Sequence, residues 1–190
     1  DLTALLTNER AFALFKGEAR SGGAEAAWFG RMFPYDPGSA TWAYKALTSV
    51  SPDTWTSTQR GLIETTAHAN TYRTESAVPI TYPGKTFGGE WIDVTIGLDW
   101  LTARIEERIF ALYVSNPKVP YTDAGLGMIQ SEIEGALEEA ERRDVIDAGW
   151  TVSTLAVADQ ETADRDDRIA RGFEFQARLA GAIHTATVTG

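Results

Sequence analysis

Three acidic residues near the middle of the chain could act as a carboxylate pair in acid–base chemistry. They are Glu90, Asp93 and Asp99. Glycoside hydrolysis needs two carboxyl groups roughly 5–9 Å apart, one of them acting as general acid. The sequence fixes no such distance, and carboxylates are common where a strand ends or a helix begins. Hydrolysis of a glycan by these residues is therefore one alternative function.

Two further patterns begin like known binding motifs but are incomplete; one is rich in glycine and the other in aspartate. Gly125-Leu126-Gly127 begins like a dinucleotide-binding fingerprint, but Gln130 occupies the position of the third glycine. The aspartates at 164, 166 and 167 begin like a calcium loop, but Arg168 and Ile169 stand where a ligand and the turn glycine belong. We interpret the first as helix packing and the second as a solvated loop.

The remaining motifs of catalysis do not occur. His68 and His184 have no cysteine or HExxH context, so we interpret each as a hydrogen-bonded structural residue. A nucleophile elbow and a phosphate-binding loop are both missing from the sequence. The sequence thus predicts no enzymatic activity, no catalytic or metal-binding residue and no cofactor.

Composition indicates a folded protein with an acidic surface. Of the 190 residues, 43% are apolar and six are tryptophan, which favours a packed core over disorder. The formal net charge of −10 disfavours nucleic-acid binding, because that function usually needs a basic face. No apolar run approaches the roughly 20 residues needed for membrane insertion. Because the sequence starts at Asp1, we expect a fragment, a processed product or part of a longer chain.

Two long amphipathic helices are predicted in the second half. The first carries an apolar stripe at helical spacing, formed by Leu98, Leu101, Ile105, Ile109 and Leu112. The second is capped by Thr122 or Asp123 and has its own buried face, formed by Leu126, Ile129, Ile133, Leu137 and Ala140. Glu134, Glu138 and Glu141 lie on its outward side. That acidic face is either simply solvated or a docking surface for a basic partner.

Shorter elements precede and follow these helices. Extended segments are predicted at 11–15, 41–46, 78–82, 91–95 and 151–157. Helices are predicted at 22–32 and 56–69, the latter because Thr56 and Gln59 have capping-box spacing. Residues 159–171 form a charged connection that has room for a helical turn.

The last segment, residues 173–189, has the alternation of a half-buried strand. Apolar side chains share one face up to the middle of the segment, namely Phe173, Phe175, Ala177, Leu179 and Ile183. Gly181 marks a predicted bend or bulge, since glycine weakens a strand. The sequence therefore predicts a mixed α+β fold, in which two long helices pack on a mixed sheet and an extended strand arm ends the chain.

Several stretches resemble the tail sheath proteins of contractile-tailed bacteriophages. The clearest are GGEWIDV at 88–94, GLDWL at 97–101 and VPYTDAG at 119–125. Upstream stretches at 30–32, 36–41 and 69–72 also look like that family, as do downstream stretches at 163–165 and 179–184. The family's N-terminal arm and first segment have no counterpart here. The chain thus resembles the C-terminal portion of a sheath subunit.

The resemblance implies a structural protein of the virion tail that is assembled in the cytoplasm of the host bacterium. Such subunits form hexameric rings stacked helically around the tail tube, and the sleeve contracts to drive the tube through the host envelope for genome ejection. Expected partners are further copies of the chain, the tail tube protein, and the baseplate and tail terminator proteins. Residues 1–85 would be a partial middle sheath domain and 86–190 the C-terminal sheath domain.

The resemblance implies a role for one set of residues, and our hypothesis about the acidic face of the second helix gives a role to another. Residues 172–190 would be an arm that adds strands to a neighbouring subunit, with its alternating side chains and Gly181 as the bend. Glu134, Glu138 and Glu141 would face the tail tube. A phage-associated glycan hydrolase and a strand-swapped homodimeric domain remain the alternatives.

Overall fold

A computed structural model of the chain describes residues 8–17 and 23–187. The expected α+β class is confirmed, because long helices and two small sheets coexist. The chain divides into two compact units. The first comprises Asp1–Gly97 together with Ala182–Gly190, and the second comprises Leu98–Gly181.

The first unit contains a mixed three-stranded sheet made of β1 (Leu14–Phe15), β2 (Asn70–Glu75) and β3 (Val78–Tyr82). β1 runs parallel to β2, whereas β2 and β3 form an antiparallel hairpin. Ser76 and Ala77 form its two-residue turn, both with positive φ, as type I′ hairpin turns require. The sequence predicted β3 correctly and did not predict β2.

The helices of the first unit are α1 (Ala24–Met32) and α2 (Ser57–Arg60), which continues as a π-helical segment over Gly61–Thr66. The predicted capping box is confirmed, because Thr56 Oγ1 accepts from the Gln59 backbone and Gln59 Oε1 accepts from the Thr56 backbone. An aromatic core holds the unit together. In it the rings of Trp28 and Trp42 meet edge to face at 5.3 Å.

The second unit is built on the two predicted long helices. α3 (Ile92–Ser115) begins in the first unit and continues into the second, and α4 (Asp123–Arg142) is capped by Thr122. Their apolar faces share one core, which includes Leu101, Ile133 and Leu137. Beside them lies a two-stranded antiparallel sheet of β4 (Thr151–Thr154) and β5 (Phe173–Gln176). A 3₁₀ turn (Val157–Asp159) and a short helix, α5 (Thr162–Asp166), connect the strands.

Three predicted extended segments differ from the structure. Residues 41–46 form bends rather than a strand, and Tyr44 has a left-handed φ of 57°. Trp91 precedes the helix α3, so the predicted strand at 91–95 is wrong. It is wrong because Ile92 and Ile96 are four residues apart and both face the aromatic core, which is helical spacing. The strand predicted over 173–189 is only four residues long, and residues 188–190 lie outside the described part.

Candidate inter-subunit surfaces

The C-terminal segment pairs first with its own chain. In the β4–β5 ladder Phe173 lies opposite Thr154, and Gln176 lies opposite Thr151. After an interruption the pairing resumes, because the Asp147 amide donates to the Arg178 carbonyl at 2.8 Å and the Ala180 amide donates to the Val145 carbonyl at 3.1 Å. Residues 173–180 therefore lie antiparallel to residues 145–154 of the same chain.

The predicted alternation of side chains is present in this sheet. Phe173 and Phe175 share a face with Val152, and Phe173 and Val152 pack against the core of the two long helices. Phe175 is still 46% exposed. On the other face Glu174 and Gln176 are exposed. One face is thus apolar and only partly covered by the described chain.

Both edges of this two-stranded sheet are open among residues 8–17 and 23–187. β4 pairs only with β5, and β5 only with β4. An edge strand presents unpaired N–H and C=O groups, on which a further strand can add. The geometry therefore suits strand addition from another chain.

The remaining residues proposed for the arm lie beyond the ladder or at its end. Ala177 is exposed at the interruption, and Leu179 forms an isolated bridge with Ile146. Gly181 has a positive φ of 62°, which glycine adopts without strain, so it fits the predicted bend. Ile183 is 89% exposed, the highest value among the large apolar side chains of the described residues.

His184 fastens the end of the segment to the first unit. Its Nε2 lies 3.0 Å from Thr41 Oγ1, and its carbonyl accepts a 2.8 Å hydrogen bond from the Tyr44 hydroxyl. Its ring meets the rings of Trp91 and Tyr44 edge to face, with centroids 4.5 and 5.3 Å away. The prediction that both histidines are hydrogen-bonded is confirmed, since His68 Nδ1 lies 3.0 Å from the Phe87 carbonyl.

Asp93 lies near this cluster and is only 7% exposed. Its Oδ1 and the Nδ1 of His184 are both buried and have no hydrogen-bond partner. Burial raises the pKa of the Asp93 carboxyl, and the charges of His184 and Lys45 partly offset this. Burial also lowers the pKa of the His184 imidazole; the charge of Asp93 opposes that shift and Lys85 adds to it.

The order Thr41, His184, Asp93 superficially resembles a nucleophile, base and orienting acid. In a working triad the acid holds the second ring nitrogen of the histidine by a hydrogen bond. That bond is missing, because His184 Nδ1 and Asp93 Oδ1 each have no partner. Glu90 and Asp99 are exposed, so the three carboxylates singled out in the sequence lie in different environments. The arrangement does not resemble a hydrolytic site.

The acidic face of α4 is less uniform than the sequence suggested. Glu138 is exposed, whereas Glu134 and Glu141 are half-buried. Glu134 accepts a 2.7 Å hydrogen bond from Gln130 Nε2, and Glu141 accepts one of 2.7 Å from Trp150 Nε1. Glu138 is therefore the member of this set best placed to meet a partner.

Two apolar surfaces were not singled out from the sequence. A cleft of about 440 Å³ in the first unit is lined by aromatic and aliphatic residues, among them Phe29, Phe33, Trp42 and Ile96. Near the end of α3, Phe110, Tyr113 and Val114 are each more than half exposed. The cleft joins residues that are far apart in the sequence, and Phe110, Tyr113 and Val114 lie beside the buried Leu112, so neither patch is recognisable before the fold is known.

The described residues contain neither a metal-ion cluster nor a helix that could span a membrane. No group of three or more His, Asp or Glu side chains there is arranged to hold a metal ion. Within the same ranges, every helix is too short or too polar to cross a membrane.

Comparison with known proteins agrees with the resemblance seen in the sequence. Residues 92–152, about a third of the chain, match the family model described as E217 tail sheath protein gp31-like, C-terminal domain. The matched range comprises α3, α4 and most of β4. No curated protein matches the chain. The match confirms the likeness to the C-terminal portion of tail sheath proteins.

A solved structure shares the fold. A chain in the cryo-EM structure of the anti-feeding prophage (AFP) baseplate, 6-fold symmetrised, superimposes with a TM-score of 0.66 at 13% identity. The alignment covers 87% of the present chain and 48% of that chain. The present chain thus spans about half the length of the solved chain that it matches. The family match shows a tail-sheath-like domain over residues 92–152, and the superposition shows a shared fold.

Proposed function

We propose that this chain is the C-terminal portion of a structural subunit of a contractile tail sheath. Such a sheath surrounds the tail tube and contracts to drive the tube through the host envelope for genome ejection. The family match over residues 92–152 supports this role, and so does the fold shared with a prophage baseplate protein. No step of this role requires enzymatic activity.

The observation that carries the proposal is the two-stranded sheet of β4 and β5. Its two open edges lie within a region that is otherwise well packed on the helical core. A neighbouring subunit that adds a strand there would be joined by backbone hydrogen bonds, with alternate side chains giving specificity. Subunits joined in this way stay connected while their bodies rotate, as contraction requires.

We assign the two parts of the C-terminal arm to different tasks. Residues 173–180 complete the sheet of their own subunit, since they already pair with residues 145–154. The residues that follow Gly181, including Ile183, reach a neighbouring subunit. Gly181 is the bend between the two parts.

The expected surroundings follow from the same role. Copies of the chain would form hexameric rings stacked helically, in contact with the tail tube protein and, at the ends, with baseplate and tail terminator proteins. The subunit would be assembled in the cytoplasm of the host bacterium and reside in the virion tail. Residues 1–85 and 86–190 would belong to the middle and C-terminal sheath domains, and the family match lies within the second of these ranges.

Electron microscopy of the full-length protein tests the proposal. We expect hollow striated sleeves from the unaltered protein. Removing everything after Gly181 should prevent sleeves while leaving the free subunit folded, because β5 and the Ala180 contact remain. Removing everything after Arg171 should prevent sleeves and also destabilise the second unit, because β5 is lost.

Ordered sleeves from the shorter of these two proteins would contradict the role of the arm. A closed dimer from the unaltered protein in light scattering would instead favour the strand-swapped homodimer, which the open sheet edges also permit.

A further inference from the structure

We propose that the free subunit holds its own C-terminal segment in a latch centred on His184, and that this latch delays assembly until the segment is released. The inference rests on the proposed function, in which residues beyond Gly181 pass to a neighbouring subunit. It adds a regulatory device to that function. We call residues 182–187 the tail segment, and Thr41, Tyr44, Trp91 and Asp93 the socket.

The tail segment is fastened at a single residue. His184 contributes a ring nitrogen, a carbonyl and a ring face to the contacts with Thr41, Tyr44 and Trp91. Every other residue of the segment is exposed, and the segment belongs to no strand. Losing the contacts of one side chain would therefore free the whole segment.

The socket is already formed by the first unit's own contacts. The Ala43 amide donates to Thr41 Oγ1 at 3.2 Å, which orients the hydroxyl that His184 meets. Tyr44 has a left-handed φ of 57°, and its amide is fixed by a 2.7 Å bond to the Thr81 carbonyl. A strained backbone held by its surroundings is typical of a functional position. The Trp91 ring also carries the Lys85 ammonium on its face, 4.7 Å from the centroid.

The fit of the latch is incomplete. His184 Nδ1 and Asp93 Oδ1 are buried without a hydrogen-bond partner. A buried polar atom without a partner opposes the state that buries it, because it loses its hydrogen bonds to water. The docked tail segment is therefore held weakly, as suits a segment that must be released.

A neighbouring subunit offers the segment a better partner than the socket does. The open edges of the β4–β5 sheet can form several backbone hydrogen bonds, whereas the latch uses one backbone carbonyl of the segment. The segment is either docked in its own socket or paired with a neighbouring subunit. This equilibrium shifts toward the neighbour once subunits are concentrated on a growing sleeve. In the free subunit, the latch lowers the fraction of tail segments that are available to pair with a neighbour.

The test combines NMR measurements of backbone mobility with assembly kinetics in the full-length protein. Order parameters of the tail segment are measured in the dilute, unassembled protein, and the lag before sleeve formation is measured by light scattering. His184→Ala should lower these order parameters from about 0.85, typical of an ordered backbone, to below about 0.6, and should shorten the lag several-fold. Thr41→Val, which alters the socket and not the segment, should act in the same direction.

Ile183→Ala is the matched control for the latch. It changes a neighbouring side chain that is 89% exposed, so the order parameters of the segment should stay as in the unaltered protein. Thermal unfolding midpoints of all variants verify that the first unit remains folded.

Two results would overturn the latch. Unchanged order parameters in His184→Ala would show that His184 does not hold the segment, and lower order parameters with an unchanged lag would show that the latch does not delay assembly. If neither the unaltered protein nor any variant formed sleeves, the sheath role and the delay would both be wrong. The docking of the segment would then still be judged by the order parameters alone.

Discussion

Arg104 Nε donates a 2.7 Å hydrogen bond to Glu139 Oε2, and this contact joins the two long helices of the second unit. Arg143 donates a second bond to the same carboxylate at 2.9 Å. The hydrogen bond from Arg104 is the main reason that the pKa of the Glu139 carboxyl is lowered. None of the sequence patterns singled out Glu139, because its partner is 35 positions away.

Glu139→Gln should destabilise the second unit by about 1–2 kcal/mol at pH 7, the scale of a partly buried hydrogen bond between charged groups. Because the folded-state pKa of Glu139 is lowered, its contribution is present above the unfolded pKa and is lost as the pH falls through the folded pKa. The difference between the two proteins in urea unfolding should therefore shrink on acidification. Glu138→Gln, at an exposed neighbouring position, should change stability little at either pH.

Acidification should loosen the tail segment. Burial lowers the pKa of His184 in the docked state, so the docking free energy is present above the unfolded pKa and is lost as the pH falls through the docked-state pKa. The charged groups that act on His184 are Asp93, which opposes the effect, and Lys85, which adds to it. Lys45 acts on Asp93, and the Tyr44 hydroxyl donates to the His184 carbonyl. The NMR order parameters of the tail segment should therefore fall between pH 7.5 and 5.5. In His184→Ala they should be low at both pH values.

Asp93→Asn should alter the pH dependence of stability in the first unit. Burial raises the folded-state pKa of Asp93, so its favourable contribution is present below the unfolded pKa and is lost as the pH rises through the folded pKa. Relative to the unaltered protein, the variant should thus gain about 1 kcal/mol in unfolding free energy between pH 4 and pH 7. Thermal unfolding across that range measures the difference.

The same variant separates the structural role from the glycan hydrolase. Sleeve formation should persist in Asp93→Asn, since the substitution adds no charge and keeps the shape of the side chain. Hydrolysis of cell-wall glycans by the unaltered protein, abolished in the variant, would contradict a purely structural role.

Reversing the charge at Glu138 tests the surface proposed to meet the tail tube. If α4 faces a basic tube surface, Glu138→Lys should weaken co-sedimentation with tubes by about fivefold at low salt, and the effect should fade at high salt. Glu106→Lys supplies the control, because Glu106 is an exposed carboxylate on the other long helix. Equal binding by the two variants at every salt concentration would remove α4 from the proposed tube contact.

Helical periodicity predicted the long helices well because it depends on residues close together in the sequence. The stripe with Leu101 and Leu112 and the Thr122 cap could be recognised without knowing the rest of the fold. β2 could not be recognised, because its buried side chains include polar ones such as Asn70. The structure satisfies Asn70 with four hydrogen bonds, including donation to the Ala13 and Lys85 carbonyls.

The candidate surfaces were predicted only in part. The alternation from Phe173 correctly indicated a strand, but its length was overestimated because its partner β4 has only four residues. His184 was correctly interpreted as a hydrogen-bonded residue. Its partner Thr41 lies 143 positions away, in a loop whose bends depend on contacts with β3, and no local pattern indicates such a pairing.

The open edges of β4 and β5 also bear on how long a polymer of this chain would grow. When the contact joins two different surfaces, every open chain of subunits keeps one unused donated segment at one end and one unused sheet edge at the other. Such a chain can therefore keep adding subunits. The sheet itself therefore sets no number of subunits and no final length. In the proposed sleeve, ring closure must come from the angle between neighbours, and termination must come from a different protein that occupies the last free edges.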